Sequence, residues 1–397
     1  MSILFTPGKI GKVEIPNRFV NSATYECMAK ETGEVRDELI KRYVRLAKGG
    51  VGLIITGMMC VHPSGRGYKH QIGIHHDSMI QGLKRLVDAV HHVGGRIAFQ
   101  LAHSGRQTTK DMIGRTPLAP SSRGRDPINL VKPKAMTEDE IIQVIKAFGA
   151  AAKRAVEVGA DGIQLHGAHG YLISEFLSPF FNIRTDSWGG SAENRFRFLK
   201  EVYLEVKEVV PDGFPVLLKL NTNDHTPKEG TYPSLAAKYS GWMAELGINA
   251  VEVSSGTTNY SYMNMCRGDV PTAELVKGLS WWEKPIGRFM IGRLEGKYDL
   301  VEGYNLDAAK IVKPVIGDIP LLLVGGMRTV SHMEEVLKNN DADFISMSRP
   351  FIREPLLVNK IKDNKMDRVS CVSCNRCLAA AANELPVYCY NKGFPKG

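Results

Sequence analysis

The sequence predicts a (β/α)8 TIM barrel with an N-terminal β-hairpin and a short Cys-rich C-terminal extension. Three observations carry that prediction. Eight apolar, β-rich runs alternate with helical stretches, the pattern of a parallel sheet covered by helices. No Gly-x-Gly-x-x-Gly follows the first run, which disfavours an open doubly wound sheet. Polar residues recur at the C-terminal ends of the runs, namely Thr24, Gln100, His166, His169, Lys219, Gly325-Gly326 and Ser348-Arg349. A barrel gathers such residues into one pocket.

In order, residues 4–15 read as a hairpin with Pro7-Gly8 at one turn, and residues 19–24 as the first strand. A helix over 36–48 puts Leu39, Ile40, Tyr43, Val44, Leu46 and Ala47 on one side, and Gly49-Gly50 ends it. A strand at 52–56, an amphipathic helix at 77–93 and a strand at 96–101 follow. Residues 102–135 form a long loop rich in Gly, Pro, Ser and Arg. Thr137-Glu138-Asp139-Glu140 is a capping box for a helix reaching about residue 158. The fourth strand covers 161–165; then come a helix at 193–210, a strand at 215–220, a helix at 235–246 and a strand at 250–253. A helix at 306–315, a strand at 321–324, a helix at 330–338 and a strand at 344–347 complete the alternation, with a short helix near 355–361.

The 397 residues are 43% hydrophobic, enough to bury a sizeable core. The N-terminus lacks a charged-then-apolar leader pattern, and no apolar run approaches the roughly 20 residues that span a bilayer. A cytoplasmic protein that does not enter a membrane is expected. The net charge is +9, yet Lys and Arg are interspersed with acids and no nucleic-acid motif is present, so no nucleic-acid partner is expected.

The most informative stretch follows the fourth strand: Asp161-Gly162-Ile163-Gln164-Leu165-His166-Gly167-Ala168-His169-Gly170-Tyr171-Leu172. Two imidazoles and a phenol, all proton-capable groups, stand on one strand end. From spacing alone, catalysis, metal binding and a satisfied pair of loop histidines all remain open. Val324-Gly325-Gly326-Met327-Arg328 lets backbone N–H groups approach an anion, and Ser348-Arg349 adds a hydroxyl and a guanidinium. Phosphate commonly binds at these last two strand ends of a barrel.

These residues resemble the old yellow enzymes, FMN-dependent NAD(P)H oxidoreductases on a (β/α)8 barrel. The resemblance runs from Leu4-Phe5-Thr6-Pro7 and Pro16-Asn17-Arg18 to Ser348-Arg349-Pro350-Phe351. It is most specific at residues 166–172, Glu175-Phe176-Leu177-Ser178-Pro179, Asn182-Ile183-Arg184-Thr185-Asp186, Gly189-Gly190-Ser191 and Glu193-Asn194-Arg195. It implies that His166 and His169 hydrogen-bond the carbonyl oxygen of an α,β-unsaturated small-molecule substrate, that flavin N5 delivers hydride to the β-carbon, and that Tyr171 protonates the α-carbon. Ala23, Thr24, Tyr25, Met58, Gln100, Lys219, Gly325, Gly326, Ser348 and Arg349 match FMN contacts. The sequence departs from the pattern at Lys219, where arginine is usual, and at Met58 and Ser348, where smaller residues are usual. Tyr25 stands where some members have Cys or Thr. Lys219 cannot form a bidentate fork.

Cys371-x2-Cys374-x2-Cys377-x11-Cys389 follows the last barrel helix and divides the chain into an FMN-binding barrel, 1–365, and a Cys-rich extension, 366–397. Such spacing suits a [4Fe–4S] cluster or zinc. It resembles the linker of the 2,4-dienoyl-CoA reductase branch, which has one more residue between its second and third cysteines and places a cluster near the FMN. The cluster is preferred to zinc because it would give the flavin an electron route. Reduction of an activated C=C, in an enone or an enoyl thioester, is the first reading. A flavoprotein electron-transfer subunit, fed through the cluster by an electron-donor protein, is the second. A homo-oligomer fits either.

Residues 254–306 are too long for an ordinary connection. Tyr260, Tyr262, Met263, Met265, Trp281, Trp282, Phe289 and Met290 there either roof the pocket or form a satellite core or subunit interface; the two readings stand level. Glu34, Arg106, Arg123 and Arg125 match no motif and read as solvated charges first, with contact of a basic loop to a CoA phosphate as the alternative.

Overall fold

The computed structural model describes residues 2–394. Eight parallel strands form the barrel: β1 (Phe19–Asn21), β2 (Leu53–Ile55), β3 (Ile97–Ala102), β4 (Gly162–Gly167), β5 (Val216–Asn221), β6 (Ala250–Ser254), β7 (Leu321–Val324) and β8 (Phe344–Met347). Each pairs with its sequence neighbour, and β8 closes on β1 through Ile345↔Phe19, Ser346↔Val20 and Met347↔Asn21. The helices between them are α1 (Asp37–Lys48), α2 (Ile80–His92), α3 (Glu138–Glu157), α4 (Ala192–Lys207), α5 (Pro233–Glu245), α6 (Leu306–Val312), α7 (Val330–Lys338) and α8 (Leu357–Lys362). No described helix is long and apolar enough to cross a membrane.

The expected capping box starts α3: Glu140 N donates to Thr137 Oγ1 and Thr137 N to Glu140 Oε2. The hairpin pairs Gly8–Ile10 with Val13–Ile15, but it turns at Gly11-Lys12 rather than at Pro7-Gly8. Gly11 has φ 55°, and a Cβ there would stand 2.8 Å from Gly213 O. β1 stops at Asn21, short of the expected residue 24, which releases Ala23 and Thr24 from the ladder to face the cavity described below. A 3-10 turn, Asp77–Met79, precedes α2, and another, Lys313–Val315, ends α6. Short helices at Leu172–Leu177, Arg349–Arg353 and Arg376–Ala382 were not expected.

Strand alternation creates two cores. Outward-facing Leu218, Leu220, Val251 and Val253 pack under the helices. Inside the barrel, Val20, Leu53, Ala98, Leu217, Ala250, Leu322 and Phe344 form an apolar floor, closed by Ile10 and Ile15 of the hairpin. Two residues further along three of these strands, the inward positions become polar: Gln100, Lys219 and Glu252, all buried. The period of two carries the interior from floor to polar layer in one step. That polar layer positions the site.

Candidate active site

Above the floor, buried polar groups form a chain across the barrel. Gln100 Nε2 donates to Gln164 Oε1, and Gln164 Nε2 donates to Glu252 Oε2, each at 2.8 Å. Lys219 Nζ lies 3.3 Å from Glu252 Oε2 and donates to Ser22 Oγ at 2.8 Å. The ladder brings these residues together, pairing Gln100 with Gln164 and Lys219 with both His166 and Glu252. A buried charge needs such a partner. Glu252 and Gln164 escaped sequence reasoning; the signal that could have found them is their inward parity on aligned strands.

β4 delivers His166 inside the barrel and then turns sharply. His169 has φ 64° and Gly170 φ 74°. A non-glycine residue held there costs on the order of 1–3 kcal/mol, which the surroundings must offset. His169 N donates to Asn221 Oδ1 at 3.1 Å, its carbonyl accepts from Gln107 Nε2 at 2.8 Å, and its Nε2 lies 2.7 Å from Ser254 Oγ. A Cβ on Gly170 would come within 2.9 Å of Gln107 Nε2.

The turn sets the three expected catalytic groups side by side. The His166 ring lies 5.2 Å from that of His169, edge-on, and 4.9 Å from that of Tyr171. Burial holds both imidazoles well below the ordinary histidine range; His169 and Lys219 push His166 further down, and Lys219 does the same to His169. Both are therefore neutral near pH 7. His166 Nδ1 is buried without a protein partner. Tyr171 is pushed well above the ordinary phenol range by burial and then by Tyr68, so it keeps its proton. Its hydroxyl lies 3.0 Å from that of Tyr68, and the Tyr68 ring stacks on Tyr25 at 4.6 Å. Tyr68 was missed because Gly67-Tyr68-Lys69 carries no periodic signal.

A cavity of about 170 Å³ opens beside this corner. Ala23, Thr24, His169, Lys219, Gly326, Ser348 and Arg349 line it, together with Arg328, Tyr262 and Met265. Tyr25, Met58, Gln100, Gly325, His166 and Tyr171 are not among its lining residues. Met58 instead packs with Tyr171 and Tyr68. Thr24 and Ser348 join hydroxyls at 2.5 Å. A Cβ on Gly326 would stand 2.8 Å from Val301 O. Arg328 Nε and Ser346 Oγ are buried without protein partners. Two guanidiniums, a required glycine and unpartnered polar atoms facing one cavity fit a phosphate-bearing flavin. Arg349 also binds the protein: its Nη1 donates to Cys266 O at 3.2 Å, to Arg267 O at 2.8 Å and to Asn375 Oδ1.

Three expectations are corrected. Arg106 is buried rather than solvated: its N donates to Glu175 Oε1 at 2.8 Å and its Nε lies 3.7 Å from Asp126 Oδ2. Arg123 is half-buried, 4.3 Å above the Phe180 ring, because that aromatic face and the Phe180 carbonyl replace its water. Trp281, Trp282, Phe289 and Met290 neither roof the cavity nor form a core; all are exposed, because the helix Lys284–Gly292 packs through Ile291 on its other side. Tyr262 and Met265 do line the cavity, Met263 joins a satellite core, and Tyr260 packs on Phe180. Glu34 is half-buried and pairs with Lys30.

In the tail, Cys377 is buried, Cys371 and Cys374 half-buried and Cys389 exposed. Burial and the other three thiols push the Cys377 thiol up to about 12, although Arg349 opposes this. Arg328 points at Cys371 Sγ from 3.9 Å and Arg353 at Cys389 Sγ from 3.6 Å. The donor types suit a metal. Yet among the described residues no three His, Cys, Asp or Glu side chains gather closely enough to hold one.

The sequence profile of the NADH:flavin oxidoreductase / NADH oxidase family matches residues 3–267 and 294–368. The chain is 34% identical over 355 residues to an NADPH dehydrogenase of Clostridium acetobutylicum, covering 89% of this chain and 93% of that one. It is 33% identical over 377 residues to an NADH oxidase of Thermoanaerobacter brockii, covering 94% of this chain and 52% of the relative. Among solved structures, a 2-naphthoyl-CoA reductase complex superposes with a TM-score of 0.85 at 26% identity, over 98% of this chain and 56% of that one. The chain thus spans about half the length of the last two relatives. FMN as cofactor and NAD(P)H as electron donor follow from the family. With the profile across both halves of the barrel and the cavity at its C-terminal end, the chain belongs to the NADH:flavin oxidoreductase / NADH oxidase family, the old yellow enzymes.

Proposed function

We propose that the protein reduces an activated C=C bond of an α,β-unsaturated carbonyl compound or enoyl thioester, with electrons from NAD(P)H. The observation that carries this reading is the corner itself: two neutral imidazoles and a protonated phenol within ring contact. Gly325, Gly326, Ser348, Arg349 and Arg328 would hold the FMN phosphate. Ala23, Thr24, Tyr25, Met58, Gln100 and Lys219 would hold the ring system. When bound, FMN supplies the hydride.

His166 and His169 bind the substrate carbonyl oxygen as neutral donors. Negative charge gathers on that oxygen as the β-carbon takes hydride, and preorganised donors stabilise it there. Tyr171 then gives its proton to the α-carbon. A phenol held this far above its usual range is a weak acid, so it retains its proton until a strongly basic carbon forms. Tyr68, 3.0 Å away, stands ready to steady the phenolate left behind. Lys219 arrives with Glu252 attached, so its cation is partly neutralised before any ligand binds.

Stopped-flow mixing tests the reading. NADH or NADPH should bleach the flavin, and cyclohexenone or an enoyl-CoA should restore it. A flavin that neither alkene reoxidises overturns the proposal.

A second reading rests on the tail. The spacing Cys371-x2-Cys374-x2-Cys377-x11-Cys389 favours a metal held by these four residues, with [4Fe–4S] ahead of zinc, in an extension distinct from the 1–365 barrel. The protein would then be an electron-transfer flavoprotein fed by a partner protein. Among the described residues the thiols are not gathered as a ligand set. Iron, sulfide and zinc assays on anaerobically purified protein decide it, and flavin reduction only by a donor protein would favour it over the first reading.

A further inference from the structure

The insertion after β6 ends in a surface that the reaction does not use. Trp281 is 83% exposed, Trp282 60%, Ile286 63%, Phe289 67% and Met290 65%. On the helix Lys284–Gly292, positions 286, 289 and 290 fall at helical spacing, with Trp282 one turn before them. The outward stripe of this helix is therefore apolar, whereas an ordinary surface helix turns that stripe inward. Its inner side is already satisfied: Ile291 and Leu294 pack with Met263, Cys266 and Val270, and a Cβ on Gly287 would stand 2.5 Å from Leu279 Cδ1. None of the five exposed side chains lines the cavity.

The charges around the stripe select its occupant. Within 281–293, Lys284, Arg288 and Arg293 outnumber Glu283; Arg293 follows Phe289 on the stripe, Lys284 and Arg288 stand off it, and among the described residues none of these cations forms an ion pair. Arg293 rests over the Phe289 ring at 5.5 Å. Glu283 accepts from Ser280 N at 2.9 Å and Glu295 from Thr272 Oγ1 at 2.5 Å, and both keep their charge, so the cations of the segment outnumber its acids without being paired to them. A second copy of the same stripe would set cations against cations. A surface that is apolar beneath and negative above satisfies both features. Trp and Phe interleaved with Lys and Arg is the composition of a segment lying in a bilayer interface. Residues 268–293 also fall in the gap of the family profile, so the stripe lies outside the part of the chain that the profile matches.

We propose that residues 281–293 dock the protein on an anionic lipid surface. The helix would lie in the headgroup plane without crossing the bilayer. The root of the insertion, Tyr262 and Met265, lines the cavity, so docking would hold the catalytic end of the barrel close to the lipid. The proposal does not depend on which reaction is catalysed.

The test uses the full flavin-loaded chain and two vesicle types, one of equal phosphatidylglycerol and phosphatidylcholine, one of phosphatidylcholine alone. Co-sedimentation with the first and a blue shift of Trp emission are expected, both weakened by added salt. Trp281→Ser with Trp282→Ser and Phe289→Ser should abolish both signals. Arg288→Glu with Arg293→Glu should lower the partition constant at least about 30-fold, because each cation near an anionic leaflet contributes about one factor of five. Unchanged flavin content reports that the variants fold. Equal sedimentation with both vesicle types, or with neither, overturns the proposal. In the latter case, an oligomer dispersed by the triple variant would assign the stripe to a second copy, and capture by an acidic protein would assign it to a protein partner.

Discussion

The end of β4 and the cysteine tail use the same spacing. His166 and His169 are three residues apart, as are Cys371, Cys374 and Cys377. At β4, ladder bonds to β3 and β5 fix the strand, Asn221 and Gln107 fix the turn, and the two imidazoles meet edge-on 5.2 Å apart. In the tail, Cys371 and Cys374 lie in irregular backbone and only Cys377 sits on a helix. Its thiols influence one another without gathering in threes. Equal spacing thus gives a finished constellation where neighbouring strands set the geometry, and an unfinished one where only the local chain does.

Breaking the finished corner should have the largest effect. Tyr171→Phe removes the proposed proton donor and should slow alkene-dependent flavin reoxidation about 10²–10⁴-fold, with reduction by NADPH unaffected. Single-turnover kinetics of the two half-reactions would check this, and equal slowing of both would remove Tyr171 from the donor role. The next largest effect comes from beneath the corner. Glu252→Gln leaves Lys219 buried without its counter-charge and should cost about 3–5 kcal/mol in urea unfolding. A loss below about 1 kcal/mol, the worth of an exposed pair, would mean that water reaches Lys219.

A smaller effect lies beside it. Burial pushes Glu175 up to about 8 despite Arg106. The folded protein therefore binds a proton that the unfolded chain releases near 4.5. The stability contributed by this group is complete below that value and is lost as pH rises through about 8. Melting temperature should decline over that window, and Glu175→Gln should flatten the decline. The least effect on the corner is expected from the tail. On the electron-transfer reading, Cys374→Ser with Cys389→Ser removes iron while the flavin stays in place, as read by iron assay and visible spectrum. Loss of both together would make the two regions one site.

What could be read from the sequence follows the same divide. Thr137 with Glu140 is a local device and was legible, as was the alternation that sets the eight strands. The His166–His169–Tyr171 corner was legible as a list of groups; its protonation states were not, because they arise from burial and from Lys219 on another strand. Arg106 looked solvated in a Gly- and Ser-rich loop, since its partners Glu175 and Asp126 meet it only in the fold. At 281–293 a roof and a satellite core or subunit interface stood level, because composition does not say which side of a helix faces the barrel.

The step inside the barrel from apolar floor to polar layer has a practical consequence for redesign. Leu217 and Lys219 share a strand, as do Ala250 and Glu252, yet each pair divides between the two layers. A library aimed at new substrates can therefore vary the upper positions while the floor keeps the barrel closed. The unit of exchange there is the pair: Lys219 and Glu252 must change together, so that every accepted variant leaves the interior electrically neutral.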